Sequence, residues 1–161
     1  MSTELLLALL NSTPKIDGVR QDYLVDDAST AAWLAEHTEP GLPPGDLVAA
    51  RAALRAVVRG EASPETLAPF LDGVASRPAA TSDGLEWTLR GDSVVVRAIL
   101  AWDELRASAP GRLKPCANTA CQRFLLDRSK ANNARWCSMS ACGNRMKARR
   151  HYERVRESRS R

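Results

Sequence analysis

Apolar residues recur every three or four positions along much of the first 110 residues, a spacing typical of helices that pack on a core. Residues 46–59 are the clearest example, and Gly60 then predicts the end of that helix. Its apolar face comprises Leu47, Ala50, Leu54, Val57 and Val58, and another face carries Arg51, Arg55 and Arg59. Further helices are predicted over residues 4–10, 27–37, 64–76 and 94–107. Asp27 or Ser29 is expected to cap the second of these, and Ser63 the third.

Apolar and polar residues alternate at Leu85–Arg90, which predicts a strand. Residues 15–25 and 77–84 follow neither period and are predicted to be loops. Ala109-Pro-Gly111 is expected to be a boundary, because proline and glycine interrupt regular structure.

The pattern changes after Gly111, where short polar segments replace the helical period. Residues 122–127 predict a strand, 128–133 a turn and 134–136 a return strand, so a hairpin is expected in the middle of this module. Residues 145–155 contain no helix breaker and predict a final helix. The fold class is therefore α+β, with a mostly helical domain and small sheet at residues 1–110 and a second module at residues 111–161.

The four cysteines of the chain all lie in this module, as two pairs with the same four-residue gap: Cys116 with Cys121, and Cys137 with Cys142. Two such pairs are typical of one tetrahedral Zn²⁺ site. Two disulfides or four free thiols are the alternatives, and a reducing compartment disfavours the disulfides. With four thiolate ligands the zinc would have no open position and would be structural. Turn, hairpin, turn and helix around one zinc form a treble-clef-like plan.

Charge divides the chain sharply. Residues 1–110 hold 9 Lys or Arg and 16 Asp or Glu, a balance of −7, whereas residues 111–161 hold 14 and 3, a balance of +11. An acidic body with a basic end predicts a polyanion partner, and double-stranded DNA is the first candidate. A basic face that only meets solvent is the alternative. The predicted nucleic-acid contacts are Arg128, Arg135, Asn144, Arg145, Lys147, Arg149, Arg150 and Arg156.

Asn144 and Arg145 are the best candidates to read base edges, because asparagine suits adenine and arginine suits guanine. Both residues lie in the first turn of the predicted helix, so bracing of the zinc loop is an equal alternative for Asn144. A regulator with a single reading module is expected to form a homodimer.

Other functions are less well supported. An RNA- or ribosome-associated protein would need exposed aromatic residues, and the module has only Phe124, Trp136 and Tyr152. A redox switch that releases zinc on cysteine oxidation is a third possibility. An enzyme is not expected, because the two histidines are far apart, no cysteine is left over and no phosphate-binding glycine loop is present.

The body offers one candidate effector site. Asn11, Thr13, Asp22 and Tyr23 are polar residues beside apolar segments and could line a pocket for a small molecule, although helix capping explains Asn11 and Thr13 equally well. The longest apolar run, Leu5–Leu10, is too short to span a bilayer and lacks the flanks of a signal peptide. We therefore expect no membrane partner and a cytoplasmic, nucleoid-associated location.

Several segments of the module resemble the CGNR zinc finger: Phe124-Leu-Leu-Asp-Arg-Ser129, Arg135-Trp-Cys-Ser-Met139, Cys142-Gly-Asn-Arg145, Lys147 and Tyr152. Upstream, Leu6–Thr13, Gly18, Asp22-Tyr-Leu24 and Ala32-Trp-Leu34 resemble the ABATE domain that commonly precedes this finger in bacteria. The resemblance implies a stress-related transcription regulator whose finger binds DNA and whose ABATE domain senses a ligand or stress. It also implies zinc ligation by all four cysteines. The segment Ser129–Ala134 is less basic than the corresponding hairpin of the family.

Overall fold

The computed structural model describes residues 3–16 and 18–159. The helices are α1 (Thr3–Leu10), α2 (Asp27–His37), α3 (Leu47–Arg59), a 3-10 helix (Pro64–Leu71), α4 (Val94–Ser108), a π-helical turn (Met139–Gly143) and α5 (Asn144–Arg159). The strands are β1 (Lys15–Ile16), β2 (Val19–Arg20), β3 (Ala75–Thr81), β4 (Gly84–Arg90), β5 (Leu113–Pro115) and β6 (Phe124–Leu126). Among the described residues they pair as three antiparallel hairpins, β1–β2, β3–β4 and β5–β6. The predicted α+β class is confirmed.

The main core lies where α1, α3 and α4 meet. Leu6, Leu9, Leu54 and Val94 are fully buried there, because each lies on the apolar face of its helix. The predicted stripe of α3 is confirmed, with Asp46 as its N-cap and Gly60 ending it in the left-handed region at φ 73°. No helix in the described part of the chain combines the length and the apolar character needed to cross a bilayer.

Two arginines predicted on the second face of α3 are instead buried. Arg55 donates from Nε and Nη2 to the carbonyl oxygen of Leu10, at 2.9 and 2.5 Å. Leu10 is the last residue of α1, and helix-end carbonyls need donors from outside the helix. Arg51 donates to Asp22 through both terminal nitrogens, at 2.7 Å each. The predicted positions of Arg51 and Arg55 along α3 are therefore correct, but their side chains bind polar groups inside the body.

Four other local predictions were wrong. The segment at 64–76 is a 3-10 helix that ends at Leu71, since Pro69 cannot donate within it and Gly73 follows. The predicted loop at 77–84 is mostly strand β3, which pairs along its whole length with β4 although Pro78 lies within it. The predicted loop at 15–25 contains the β1–β2 hairpin. The N-cap of α2 is Asp26, and not Asp27 or Ser29 as predicted.

The third hairpin attaches the C-terminal module to the body. Phe124 is 2% exposed and belongs to the same buried cluster as the leucines of α1. Asn11 binds the Phe124 backbone twice: its Nδ2 donates to the carbonyl oxygen at 3.1 Å, and its Oδ1 accepts from the amide at 2.8 Å. The boundary at residue 111 stays a prediction, and both apolar and polar contacts cross it.

Candidate metal centre and nucleic-acid interface

The first cysteine pair lies at the tip of the β5–β6 hairpin. Pro115 pairs with Phe124, and beyond them the Cys116 amide donates to the Arg123 carbonyl at 2.8 Å. The loop then tightens, because the Cys121 amide donates to the Asn118 carbonyl at 2.8 Å. The strand predicted at 122–127 is confirmed as β6, but its partner is β5 and not residues 134–136.

The second pair is carried by the turn that leads into α5. Ser138 caps this turn, with its hydroxyl accepting from the Ala141 amide at 3.0 Å. The Cys142 amide donates to the Ser138 carbonyl at 3.1 Å, and the Cys142 side chain is buried. A Cβ at Gly143 would lie 2.5 Å from the Met139 sulfur and 3.3 Å from Trp136 Cδ1, so any larger residue there would displace Met139.

The four sulfurs converge on one point. All lie within 4.8 Å of one another, and Cys137 Sγ is 3.7 Å from both Cys121 Sγ and Cys142 Sγ. A tetrahedron with Zn–S bonds of about 2.3 Å has edges of about 3.8 Å. The cysteines are free, and their spacing fits one structural Zn²⁺ held by Cys116, Cys121, Cys137 and Cys142. When bound, the metal would crosslink hairpin and helix.

Helix α5 begins directly after Cys142 and Gly143 and runs for 16 residues. It packs mainly against the π-helical turn before it. Every described side chain of α5 is exposed except those of Met146 and Val155, which are half-buried. Arg145, Arg149 and Arg156 share one face with Tyr152. The predicted basic helix is therefore present, and it is attached to the rest of the chain chiefly at its metal-proximal end.

Residues 112–155 match the family model of the CGNR zinc finger. We call this segment the CGNR finger below. The match covers all four cysteines and most of α5 and begins just before β5. No curated protein matches the chain. The resemblance of the body to an ABATE domain stays a prediction.

Within the CGNR finger, two of the sulfurs receive hydrogen bonds from nitrogen donors. Asn118, which is 5% exposed, donates from Nδ2 to Cys142 Sγ at 3.4 Å, and the Cys137 amide donates to Cys116 Sγ at 3.4 Å. Burial raises the pKa of Cys121 and of Cys137. Burial also acts to raise the pKa of Cys142, but hydrogen bonds from Asn118 and the neighbouring sulfurs outweigh it and lower that pKa. A divalent cation offsets the cost of bringing four thiolates together.

Asp127 is a structural centre of the CGNR finger that the sequence analysis did not single out. Its carboxylate accepts from Lys114 Nζ at 2.8 Å, from the Ser129 amide at 2.9 Å and from the Ala134 amide at 2.7 Å. Hydrogen bonds from Lys114 and Ser129 hold the pKa of Asp127 well below its usual range. An aspartate followed by turn-forming residues was the available signal, because such side chains often bind backbone amides two residues on. Asp127 thereby fixes the loop that returns the chain to Cys137.

The remaining predicted nucleic-acid residues are exposed on the CGNR finger. Arg135 and Arg150 lie over the Trp136 ring, at 5.3 and 5.9 Å from its centroid, so that Trp136 links the loop to α5. Arg149 forms an ion pair with Glu153 at 2.9 Å. Asn144 lies on the first turn of α5, and Lys147 lies further along the same helix. Arg128 lies in the loop after β6.

The four residues predicted to bind an effector lie near one another, but three of them have internal partners. Asn11 binds the Phe124 backbone, Thr13 Oγ1 accepts from Arg55 at 2.7 Å, and Asp22 binds Arg51. Tyr23 is 39% exposed. Burial and nearby positive charge lower the pKa of Arg55 to about 10, so it remains charged at neutral pH. This arrangement ties the segment after α1 to α3.

Proposed function

We propose that the chain is a DNA-binding transcription regulator, in which zinc holds α5 as the nucleic-acid-binding helix. The observation that carries the proposal is the exposed arginine face of α5, with Arg145, Arg149 and Arg156 on one side of a helix whose main contact is the turn before it. At about 1.5 Å per residue the helix is roughly 24 Å long. A helix of this kind fits the major groove, which is about 12 Å wide.

The geometry also favours a structural role for the metal. Four thiolates fill a tetrahedral coordination sphere, which leaves no position for a substrate or an activated water. We therefore propose that the protein is not an enzyme and that zinc acts only by fixing α5 to the hairpin that enters the body core. Arg145 follows this attachment point most closely and is the leading candidate for a base-edge contact.

The proposal is tested by duplex binding of the zinc-loaded full chain at several salt concentrations. Arg145→Gln/Arg149→Gln is compared with Arg77→Gln/Arg90→Gln, an equal loss of charge on the exposed β3–β4 hairpin. We expect the first pair to weaken duplex binding by at least about tenfold and to lower the salt dependence by about two released counterions. We expect the control pair to leave the duplex affinity and its salt dependence unchanged. Equal behaviour of the two double variants would sink the proposal.

Single-stranded RNA is the second candidate, and one observation favours it. Tyr152 is 72% exposed on the arginine face of α5, where it could stack on an unpaired base. Phe124 is buried, and Trp136 is half-buried with Arg135 and Arg150 against its ring, so Tyr152 is the most exposed of the three aromatic side chains. Competition between duplex DNA and single-stranded RNA, repeated with Tyr152→Ala, separates the candidates. RNA preference that depends on Tyr152 would replace DNA with RNA as the proposed partner.

We further propose that the body is the regulatory part and forms a homodimer through the face of the β3–β4 hairpin that carries Leu85 and Trp87. Arg77 and Arg90 lie on the opposite face, because Arg77 pairs with Thr88 and side chains alternate along each strand. Both edges of this two-stranded sheet lack strand partners among the described residues, and Leu85 and Trp87 are 66% and 62% exposed on one face. Light scattering of the full chain is expected to give a dimer that Leu85→Ser/Trp87→Ser converts to a monomer. A wild-type monomer at high concentration would exclude this assignment. An effector-binding, ABATE-like body remains part of the proposal.

A further inference from the structure

A cleft of about 460 Å³ lies between the β1–β2 hairpin of the body and the cysteine loops of the CGNR finger. The body contributes Lys15 and Arg20 to its wall, and the finger contributes Arg123 and Arg145. No acidic side chain lines it among the residues that the structure describes. Its volume is in the usual range for small-molecule sites. The cleft is therefore a concave, cationic site shared by two parts of the chain.

The charge of the cleft exceeds what the zinc site requires. Four thiolates with one Zn²⁺ carry a formal charge of about −2. The side chains of Lys15, Arg20, Arg123 and Arg145 together carry +4, so the cleft and the zinc site together keep a formal excess of about +2. An oxyanion of about −2, such as a phosphate monoester, would balance this excess.

The body hairpin gives a second, independent indication of an anion. Lys15 and Arg20 are direct cross-strand partners in the β1–β2 ladder, and both are exposed. Like charges directly opposite each other destabilise an antiparallel pair. Neither side chain has an ion-pair partner among the described residues. The ladder is only two residues long on each strand, and two backbone hydrogen bonds extend it, from the Gln21 amide to the Pro14 carbonyl and from the Tyr23 amide to the Ser12 carbonyl, each 2.9 Å.

We propose that this cleft binds a phosphate group, held by Lys15 and Arg20 from the body and by Arg123 and Arg145 from the CGNR finger. The phosphate would relieve the repulsion within the β1–β2 hairpin and join the hairpin to the zinc-bound loops. The same chemistry can come from a free phosphorylated small molecule or from the backbone of bound DNA. In the first case the cleft is an effector site, and in the second the body extends the DNA-binding surface.

The test uses the zinc-loaded full chain and the variant Lys15→Gln/Arg20→Gln, which leaves every finger arginine in place. Arg77→Gln/Arg90→Gln is the matched control. Calorimetric titration with pyrophosphate tests the free-ligand source, and duplex binding over a range of salt tests the DNA source. The duplex measurement depends on the DNA binding proposed above, whereas the pyrophosphate measurement does not, so failures of the two ideas are distinguishable.

Saturable pyrophosphate binding that weakens at least tenfold in Lys15→Gln/Arg20→Gln, but not in the control, would establish a free-phosphate site. If the slope of log K for duplex binding against log salt concentration falls by about two in this variant and not in the control, the site is assigned to DNA. The proposal is overturned if neither pyrophosphate nor duplex binding responds more to this variant than to the control. Should the double variant lose zinc or helicity, the single variants Lys15→Gln and Arg20→Gln are each expected to give about half the change in salt dependence.

Discussion

The body buries a continuous set of leucines, valines and tryptophans that extends from Leu5 in α1 to Trp102 in α4. The CGNR finger has no comparable core of its own. Its buried cluster consists of Leu125 and two of the zinc ligands, Cys116 and Cys142, and its most deeply buried apolar side chain, Phe124, belongs to the core of the body. Apolar burial can therefore stabilise the body without metal, whereas the finger depends on zinc. Small modules generally need such a crosslink.

The largest expected effect comes from breaking the zinc site. Cys142→Ser, or removal of zinc with a chelator, should unfold α5 and the cysteine loops and leave the body folded, because structural zinc contributes an apparent ~10–16 kcal/mol to such modules. Amide resonances of α5 should collapse while those of α1, α3 and α4 persist. Ser140→Ala, an exposed change beside the cysteines, is the control and should retain zinc. Loss of the body signals together with those of the finger would contradict the comparison.

The converse change is made in the body core. Leu54 is fully buried on α3, and Leu54→Ala should lower the free energy of unfolding of the body by about 2–5 kcal/mol. Zinc content should be unchanged, since the metal ligands lie elsewhere. Val48 is 48% exposed on the same helix, and Val48→Ala should cost no more than about 0.5 kcal/mol. Urea unfolding and metal analysis of both variants provide the measurement, and zinc loss confined to Leu54→Ala would argue against separate stabilisation.

The contact between the two regions should have a smaller effect. Asn11→Ala removes two hydrogen bonds to the Phe124 backbone and should cost about 1–3 kcal/mol. Zinc binding is expected to raise the melting temperature of the body. We expect this rise to be smaller in Asn11→Ala than in wild type, because the contact between the body and β6 is weakened. Gln21→Ala, an exposed amide on the same segment, is the control. An unchanged response to zinc in Asn11→Ala would show that Asn11 does not couple the regions.

The smallest effect is a pH dependence confined to the body. A hydrogen bond from Arg51 is the main cause that lowers the pKa of Asp22, with the Leu24 amide adding to it and burial opposing it. Because the folded pKa is depressed, this stabilisation is present above the unfolded value of about 3.9 and is lost as pH falls through the folded pKa. Wild type should lose about 1 kcal/mol more than Asp22→Asn between pH 5 and pH 3 in urea unfolding. An equal loss of unfolding free energy in wild type and Asp22→Asn over this pH range would contradict this role of Asp22.

The sequence predicted the parts of the molecule that depend on local spacing. The helical period located α1, α3 and α4, and the two cysteine pairs predicted the convergent sulfurs. It did not predict features that arise from pairing between distant segments. The Ala75–Thr81 strand has no period of its own and is strand only because β4 lies beside it. Arg51 and Arg55 have the helical position of surface residues, and their burial depends on carbonyl and carboxylate partners that the fold brings from α1 and Asp22.

The functional residues, too, could be predicted only where they lie close together in the sequence. Zinc ligation could be predicted because all four ligands lie within 27 consecutive residues. The cleft could not, because Lys15 and Arg20 are separated from Arg123 by about a hundred residues and belong to an otherwise acidic body.

The central proposal is that the chain binds DNA and that zinc provides this affinity by holding α5 in place. The most direct measurement titrates Zn²⁺ into the metal-free full chain and records zinc occupancy and duplex binding in the same samples. We predict that duplex affinity rises in step with occupancy and reaches its limit at one zinc per chain, and that Cys142→Ser shows no such rise. Equal duplex affinity in the metal-free and zinc-loaded chains would contradict the claim.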